Sequence, residues 1–424
     1  MGKILPAIYL HAGGNCYKIF VKYLNGFRRF RKETGRKNQD KRSMGKECSR
    51  MDLGELRQEI DAIDAQIVAL YEKRMDISSQ VAEFKIKTGK KVFDKVREEE
   101  KLKAVKALTH NAFNSHGIEE LFEQIMSMSR KLQYQLLAQN GTVGRLPFIG
   151  VDELETRKAR VVFQGAEGAY SQMAMQAYFG GQVNSFHVDT FREAMSAIEE
   201  GSADFAVLPI ENSTAGMVSE IYDLLVEFEN YIVGEQIIRI EHCLLGVPGA
   251  SLEEIQTVFS HPQSLMQSAR FLEEHDWKQI SMPNNAFAAR KVAQDGDRTQ
   301  AAIASKSAGK IYGLSVLEEG INQEENNSTR FIIVTNQKIF RKDAEKISIC
   351  FEVPHRSGSL YHMLSHFIYN NLNLTKIESR PIEDRTWEYR FFIDFEGNLA
   401  DSAVKNALRG LRDEARNMKI LGNY

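Results

Sequence analysis

The stretch Asn326-Asn327-Ser328-Thr329-Arg330-Phe331 sets amides, hydroxyls and a cation directly ahead of an apolar run, Phe331-Ile332-Ile333-Val334. Such groups at the mouth of a buried strand stand where ligands sit, because strand ends in α/β domains open onto crevices. The structural alternative is a polar turn that satisfies its own backbone. Two further places repeat the pattern. Phe205-Ala206-Val207-Leu208 runs into Pro209-Ile210-Glu211-Asn212-Ser213-Thr214-Ala215-Gly216, and a helix is expected from about Met217. Hydroxyls and N–H groups at that helix start would make an anion site, with Ser213 or Thr214 as the cap. Val258-Phe259 runs into Ser260-His261-Pro262-Gln263-Ser264, again a strand ending at a helix.

A second polar set is spaced for helices. Leu53, Leu56, Ile60, Ile63, Ile67, Leu70, Arg74, Ile77, Val81 and Phe84 follow steps of three and four. That spacing predicts one long helix, opened by a capping box at Asp52 and Glu55 and closed at Thr88-Gly89. At roughly 50 Å such a helix cannot bury its seam against small neighbours, so a partner chain is expected. Arg74 falls on the seam, where a cation costs several kcal/mol unless paired. Its anion is either a protein carboxylate or a ligand. Arg74 and Lys85 face the same way. Arg57 lies ~25 Å up the helix and about 100° round it, so it can reach only a ligand held by a partner. Further helices are expected from about Asp94 to Leu108 and from about Ile118 to Leu137. The latter turns Leu121, Ile125, Met128, Leu132 and Leu136 inward, with Ser129 and Gln133 as an i,i+4 pair beside them.

These residues must be carried by several domains, since 424 residues exceed one ordinary core. The 43% hydrophobic and 26% charged content is that of a globular chain. No run approaches the ~18 apolar residues of a membrane span. Cys16, Cys48, Cys243 and Cys350 have no metal-like or redox spacing; Cys243 and Cys350 read as buried small hydrophobes in a reducing cytoplasm. Residues 1–50 hold 13 Lys and Arg against 3 Asp and Glu, which leaves −12 on the remainder. A body that acidic is a poor nucleic-acid binder. The basic segment 1–50 has the wrong order for a secretory signal and few serines for a transit peptide. It is expected to be an extension ahead of a functional start at Met51 or Met44, disordered or not translated.

Residues 51–140 therefore form a helical domain and 141–159 a linker marked by Gly141, Gly144, Pro147 and Gly150. Residues 160–337 alternate strands and helices as two α/β lobes with a cleft between them, similar to type II periplasmic binding proteins. Residues 338–424 read βαββαβ, a ferredoxin-like order. The predicted strands there are Ile347–Val353, Leu374–Ile382, Tyr389–Phe395 and Lys419–Leu421. The predicted helices are Ser357–Asn371 and Ala400–Met418.

Thr329-Arg330-Phe331 resembles the Thr-Arg-Phe signature of prephenate dehydratases, and Pro209-Ile210-Glu211-Asn212 matches that family's segment. The resemblance covers nearly all of Met51–Tyr424 and is to the bifunctional chorismate mutase–prephenate dehydratases. It implies a mutase site of Arg57, Arg74, Lys85, Asp94, Arg97, Glu98, Ser129 and Gln133. Arg57 of a partner and Arg74 would grip carboxylates, and Lys85 and Gln133 would donate to the breaking ether oxygen. Glu98 would accept from the ring hydroxyl, with Asp94, Arg97 and Ser129 orienting. It implies a dehydratase site of Glu211, Asn212, Ser213, Ser260, Gln263, Thr329, Arg330 and Phe331, with Thr329 as proton donor and Glu211 as one group that could assist it. Ser260 and Gln263, rather than His261, belong to the cleft. Ala166 and Ala169 stand where that family usually has Pro and Thr or Ser.

The C-terminal unit resembles ACT regulatory domains, whose phenylalanine-binding segments match Gly358-Ser359-Leu360 and Glu378-Ser379-Arg380-Pro381, with Ser359 replacing a usual Ala. Gly358, Leu360, Glu378 and Arg380 are its implied effector residues. The resemblance implies chorismate and prephenate as substrates, L-phenylalanine as effector, a homodimer or higher oligomer, and neither cofactor nor metal. It also leaves arogenate open as a dehydratase substrate. A non-catalytic sensor of small acids is the rival from another class. A mutase–dehydrogenase fusion is disfavoured, because Gly165-Ala166-Glu167-Gly168-Ala169-Tyr170-Ser171 is not a dinucleotide fingerprint.

Overall fold

The computed structural model describes residues 52–140, 146–181, 183–353, 355, 357–383 and 385–424. The expectations for residues 1–50, and for Gly141 and Gly144, lie outside the described residues. The chain divides into two compact units, 1–71 and 72–424. In the first, residues 53–71 are helical and present Leu53, Ile60, Ile63, Ile67 and Leu70 on the surface. Glu55 accepts from the Asp52 N–H, the half of the capping box that the structure forms.

In the second unit that same helix ends at Thr88. A helix Lys95–Lys106 follows, capped by Asp94, and then a helix Ala112–Gln139. Here the long helix buries Ser78 and Ala82, with Arg74 and Lys85 half-buried on the same line, while Ile77, Val81 and Phe84 are more than one-third exposed. This corrects the expectation that Arg74 shares the apolar seam. The polar line packs inward and the apolar line faces out. The third helix differs as well. It starts before Ile118 and runs through Gly117. Its buried side chains include Met126, Ser127, Ser129, Arg130, Lys131, Gln133, Tyr134 and Leu137, and Leu121 is exposed. The physical reason is a second neighbour. Arg130 pairs with Glu414, Tyr134 with Asp413, and Lys131 with Ser365, so a polar face is buried against the C-terminal helices.

Residues 146–159 are not a free linker. Ile149–Val151 pairs in parallel with Ile339–Arg341, and Phe148 packs edge-on against Tyr231. The first α/β lobe has a sheet ordered Tyr231–Arg239, Ser328–Thr335, Phe205–Asn212, Arg160–Gln164, Asn184–Val188. Side chains alternate across it. Phe331 and Ile333 pack with Phe163 and Val207 on one face. Ile332 and Val334 pack with Leu208, Ile221, Cys350 and Phe392 on the other. The second lobe is a five-stranded sheet ordered Ser315–Glu318, Cys243–Gly246, Gln300–Ala304, Thr257–Ser260, Lys278–Ser281. Cys243 and Cys350 are buried free thiols.

The loop after Arg160–Gln164 is spent on joining the lobes. Gly168 sits at φ +85, and a Cβ there would lie 2.7 Å from Ala308 Cα. Ser305 Oγ donates to Gly168 O at 2.9 Å and Tyr312 to Glu167 O at 2.9 Å.

The C-terminal unit follows the βαββαβ order, its sheet running Leu374–Pro381, Tyr389–Glu396, Lys346–Glu352, Arg416–Asn423. Its helices, Ser359–Ile368 and Ser402–Glu414, are shorter than expected, and Arg416–Met418 open the last strand instead of closing a helix. That strand meets the first-lobe sheet where Gly422 registers with Ile232, so one sheet passes through both. Among the described residues no helix is long and apolar enough to cross a membrane.

Candidate functional site

Thr329 and Asn212 stand opposite each other on adjacent antiparallel strands. Asn212 Nδ2 donates to Thr329 Oγ1 at 2.9 Å, to Asn327 Oδ1 at 2.8 Å and to Ser328 O at 3.2 Å. Its Oδ1 accepts from the N–H groups of Thr214 and Ala215, from Thr214 Oγ1 and from Gln267 Nε2. Two backbone donors on Oδ1 fix which end of the amide faces Thr329. Donors crowded on Oδ1 polarise the amide and strengthen Nδ2 as a donor. Among the described residues no protein acceptor takes the Thr329 hydroxyl proton, which is left for a ligand.

The network continues into the second lobe. Gln267 Nε2 donates to Thr214 Oγ1 at 2.7 Å, and its Oε1 lies 3.0 Å from His242 Nε2. Tyr170 OH stands 3.1 Å from His242 Nδ1. Gln267 uses its N–H groups elsewhere, so its Oε1 calls for the Nε2–H tautomer, while the single Tyr170 hydroxyl proton goes to Glu241 O at 2.7 Å. Burial lowers the His242 pKa, a pull that Gln267 only partly opposes, so the ring is neutral at pH 7. Thr214, Gln263, Gln267 and Asn327 help line a pocket of ≈ 310 Å³. Asn327 is buried, and its Nδ2 has no protein acceptor.

The remaining residues implied for this site lie elsewhere. Ser213 Oγ donates to Asn326 O and accepts from Ser328 N–H, pinning the loop. Neither Ser213 nor Thr214 caps a helix, because the helix is Ser219–Glu227 with Val218 at its cap. The expected anion site at that helix start is therefore not formed by those hydroxyls. Ser260 Oγ is fully buried on Ile303 O and Asn285 Oδ1. Phe331 is in the core. Glu211 and Arg330 register with each other, one residue on from Asn212 and Thr329, and so face the other side of the sheet. Glu211 Oε2 binds Arg330 Nη2 at 3.1 Å and Lys376 Nζ at 2.9 Å. Burial raises the Glu211 pKa, but those two cations outweigh it and hold the carboxyl ionised. It cannot assist Thr329 from there, which corrects that expectation.

The helical set is brought together within residues 72–140, with Arg57 in the other unit and exposed. Arg74 Nη1 donates to Ser129 Oγ at 2.5 Å and to Ile125 O at 3.4 Å. Lys85 Nζ donates to Val92 O at 2.7 Å. Burial lowers its pKa, while Asp94 and Glu98 nearby hold it up. Asp94 accepts from Arg97 N–H, and the Arg97 side chain is exposed. Glu98 pairs with Arg130. Gln133 is buried with Oε1 unpartnered. Of the implied effector residues, Gly358 precedes the helix Ser359–Ile368 at φ +78 and Leu360 is half-buried on it. Glu378 and Arg380 lie on the strand Leu374–Pro381, where Arg380 forks onto Asp223.

Sequence reasoning missed Gln267, His242, Tyr170 and Arg130. Gln267 carried a signal, one helical turn beyond Gln263. The other three carried none, because their partners are remote in the chain.

The sequence pattern of the prephenate dehydratase family matches residues 161–339, and that of chorismate mutase type II matches residues 56–134. The bifunctional chorismate mutase/prephenate dehydratase of Escherichia coli (strain K12) is 33% identical over 377 residues, 87% of this chain and 95% of that protein. Among solved structures, the prephenate dehydratase of Arthrobacter aurescens in complex with L-Phe is 28% identical. It has a TM-score of 0.58, over 62% of this chain and 89% of that one. GqqA, described as a novel type of quorum quenching acylase, is 31% identical with a TM-score of 0.56, over 62% of this chain and 97% of that one.

Proposed function

The chain belongs to the bifunctional chorismate mutase/prephenate dehydratase family, and on that premise we propose which of its residues carry each step. Its two activities turn chorismate into prephenate and prephenate into phenylpyruvate, in phenylalanine biosynthesis. For the dehydratase step, Thr329 is the proton donor. The C–C bond to the departing carboxylate breaks, and its electron pair becomes ring π bonding. The C–O bond to the ring hydroxyl breaks, and the leaving oxygen takes the Thr329 proton to depart as water. Aromatisation drives the step, so the protein supplies a proton and orientation. The observation that carries this reading is the Asn212 Nδ2 donation to Thr329 Oγ1. A donor on that oxygen stabilises the alkoxide character that develops as the proton leaves. The buried, unpartnered Asn327 Nδ2 suits a substrate carboxylate.

For the mutase step no covalent chemistry is needed. Arg74 and the Arg57 of a partner clamp the dicarboxylate, and Lys85 and Gln133 donate to the ether oxygen as its bond breaks. Glu98 accepts from the ring hydroxyl, with Asp94, Arg97 and Ser129 orienting. The exposed apolar seam from Leu53 to Phe84 supports a dimer through the long helix. The C-terminal unit is an ACT-type regulatory domain that takes L-phenylalanine at Gly358–Leu360 and Glu378–Arg380. In support, the Arthrobacter aurescens relative was solved with L-Phe. The cytoplasm is the compartment that fits two buried free thiols. Prephenate is favoured over arogenate by the family match.

The test is an ultraviolet assay. Purified protein given chorismate should form phenylpyruvate without acid treatment, while an aliquot of the same reaction acidified after incubation reports any prephenate left, which aromatises unaided in acid. Binding of chorismate with no turnover would return the sensor reading.

A further inference from the structure

We propose that Arg330 is a positioning residue of the dehydratase step, holding the Thr329 strand from its far face against the C-terminal unit, and is not a substrate ligand. This rests on the reading that Thr329 is the donor. Neighbouring residues of a strand point to opposite faces. Thr329 turns towards Asn212, and Arg330 turns towards the ferredoxin-like unit.

There the guanidinium is 13% exposed and touches three carboxylates: Glu211 at 3.1 Å, Glu235 at 3.2 Å and Asp394 at 3.3 Å. Two of these carry a second cation from the C-terminal unit, Lys376 on Glu211 at 2.9 Å and Lys346 on Glu235 at 2.5 Å. Three cations thus meet three carboxylates, with Arg330 the member that touches all three. The far side is held in turn. Ser348 Oγ donates to Asp394 at 2.5 Å and lies 2.8 Å from Tyr424 OH, which stands 3.5 Å from Arg330 Nη1. A guanidinium so engaged has no fork to offer a carboxylate in the cleft.

The place matters because the ladder to the strand Phe205–Asn212 is broken there. Thr329 registers with Asn212 and Arg330 with Glu211, but Phe331 registers with Pro209. Ile210 is the extra residue of a bulge, a device that re-aims side chains beside active sites. On its other side the ladder to Tyr231–Arg239 runs unbroken from Ser328 to Ile333, so regular backbone bonds hold the Thr329 segment from one side only. The ion cluster adds a side-chain anchor one residue from the donor. The C-terminal unit thereby reaches within one residue of the donor.

The experiment is steady-state turnover of prephenate by the full chain and its variants. Arg330→Met should lower kcat by roughly 10- to 10²-fold, the cost of misplacing a reacting group. KM should stay within about threefold, as expected when an interaction made only in the transition state is lost. Arg330→Lys should recover part of kcat. Asp394→Asn, which alters only the far side, should lower kcat in the same sense with KM unchanged. Mutase activity and circular dichroism report folding. If Arg330→Met does not fold, Arg330→Lys and Asp394→Asn decide. A rise in KM with kcat intact would make Arg330 a substrate ligand and overturn the inference. Unchanged kcat in both Arg330→Lys and Asp394→Asn would overturn it too. Thr329→Ala in the same assay separates the premises: no loss there removes the donor reading, whereas loss there without loss at Arg330 removes only this inference.

Discussion

A threonine hydroxyl is a weak acid, so what surrounds Thr329 Oγ1 decides whether it can serve as one. Asn212 donates to that oxygen while its own carbonyl is held by Thr214, Ala215 and Gln267. Thr329→Ala should cut phenylpyruvate formation by about 10²- to 10⁴-fold, the usual contribution of a positioned acid, and prephenate made from chorismate should accumulate. Near-normal turnover would remove Thr329 from the mechanism. In the helical site, Lys85→Ala or Gln133→Ala should cost about 10²–10³ in mutase rate, by analogy with loss of an oxyanion donor. Prephenate consumption should be untouched, and a joint fall of both activities in a folded variant would mean that the two sites are not separate. Thr329 and Asn212 were legible because each sits where polar residues abut an apolar strand. Glu211 was misread because the two-residue alternation was not applied across it: beside Asn212 it must face the opposite side. His242 and Tyr170 could not be read, since nothing in the local sequence around either residue points to a partner 72 residues away.

Period and capping signals found most elements but not their neighbours. The heptad run of the long helix was read correctly as a helix. Its apolar stripe, for which a partner chain is expected, is exposed in the single chain, because periodicity reports an amphipathic stripe and not what covers it. Likewise the third helix shows an apolar stripe in sequence, yet it buries Arg130, Lys131 and Tyr134 through ion pairs and hydrogen bonds that only the C-terminal helices explain. The last strand holds a position whose residue type is dictated by contact. A Cβ on Gly422 would lie 2.1 Å from Ile232 O, where the two sheets join. Gly422→Ala should therefore separate the strands locally and destabilise the protein by about 1–3 kcal/mol, the range for overpacked sites. Chemical denaturation measures this, and an unchanged midpoint would show that the junction yields without cost.

At the scale of the molecule, Lys131 ties the helical domain to the C-terminal unit. Its ammonium reaches Ser365 Oγ at 3.1 Å and lies 3.6 Å from the Tyr369 ring centre. Burial lowers its pKa to about 7, more than Glu414 raises it. Between that value and 10.5 the unfolded chain binds the extra proton, so this residue makes stability rise with pH across that window. Lys131→Met should flatten the rise, read as thermal midpoints from pH 7 to 9.5; an equal slope in both proteins would refute the assignment. The subunit arrangement has a sharper test. Seventeen residues of helix separate Arg57 from Arg74 by ~25 Å, so Arg57 either is a surface charge or completes a partner's mutase site. The exposed seam from Leu53 to Phe84 favours the second. Arg57→Ala and Lys85→Ala homodimers should each be nearly inactive as mutases. Mixed under conditions that exchange subunits, a heterodimer has one site with both lesions and one with neither. At equal mixing half the dimers are mixed and each carries one intact site, so about a quarter of normal mutase activity should return by two-fold symmetry. No recovery, with exchange confirmed by mass spectrometry, would mean that Arg57 acts within its own chain or takes no part.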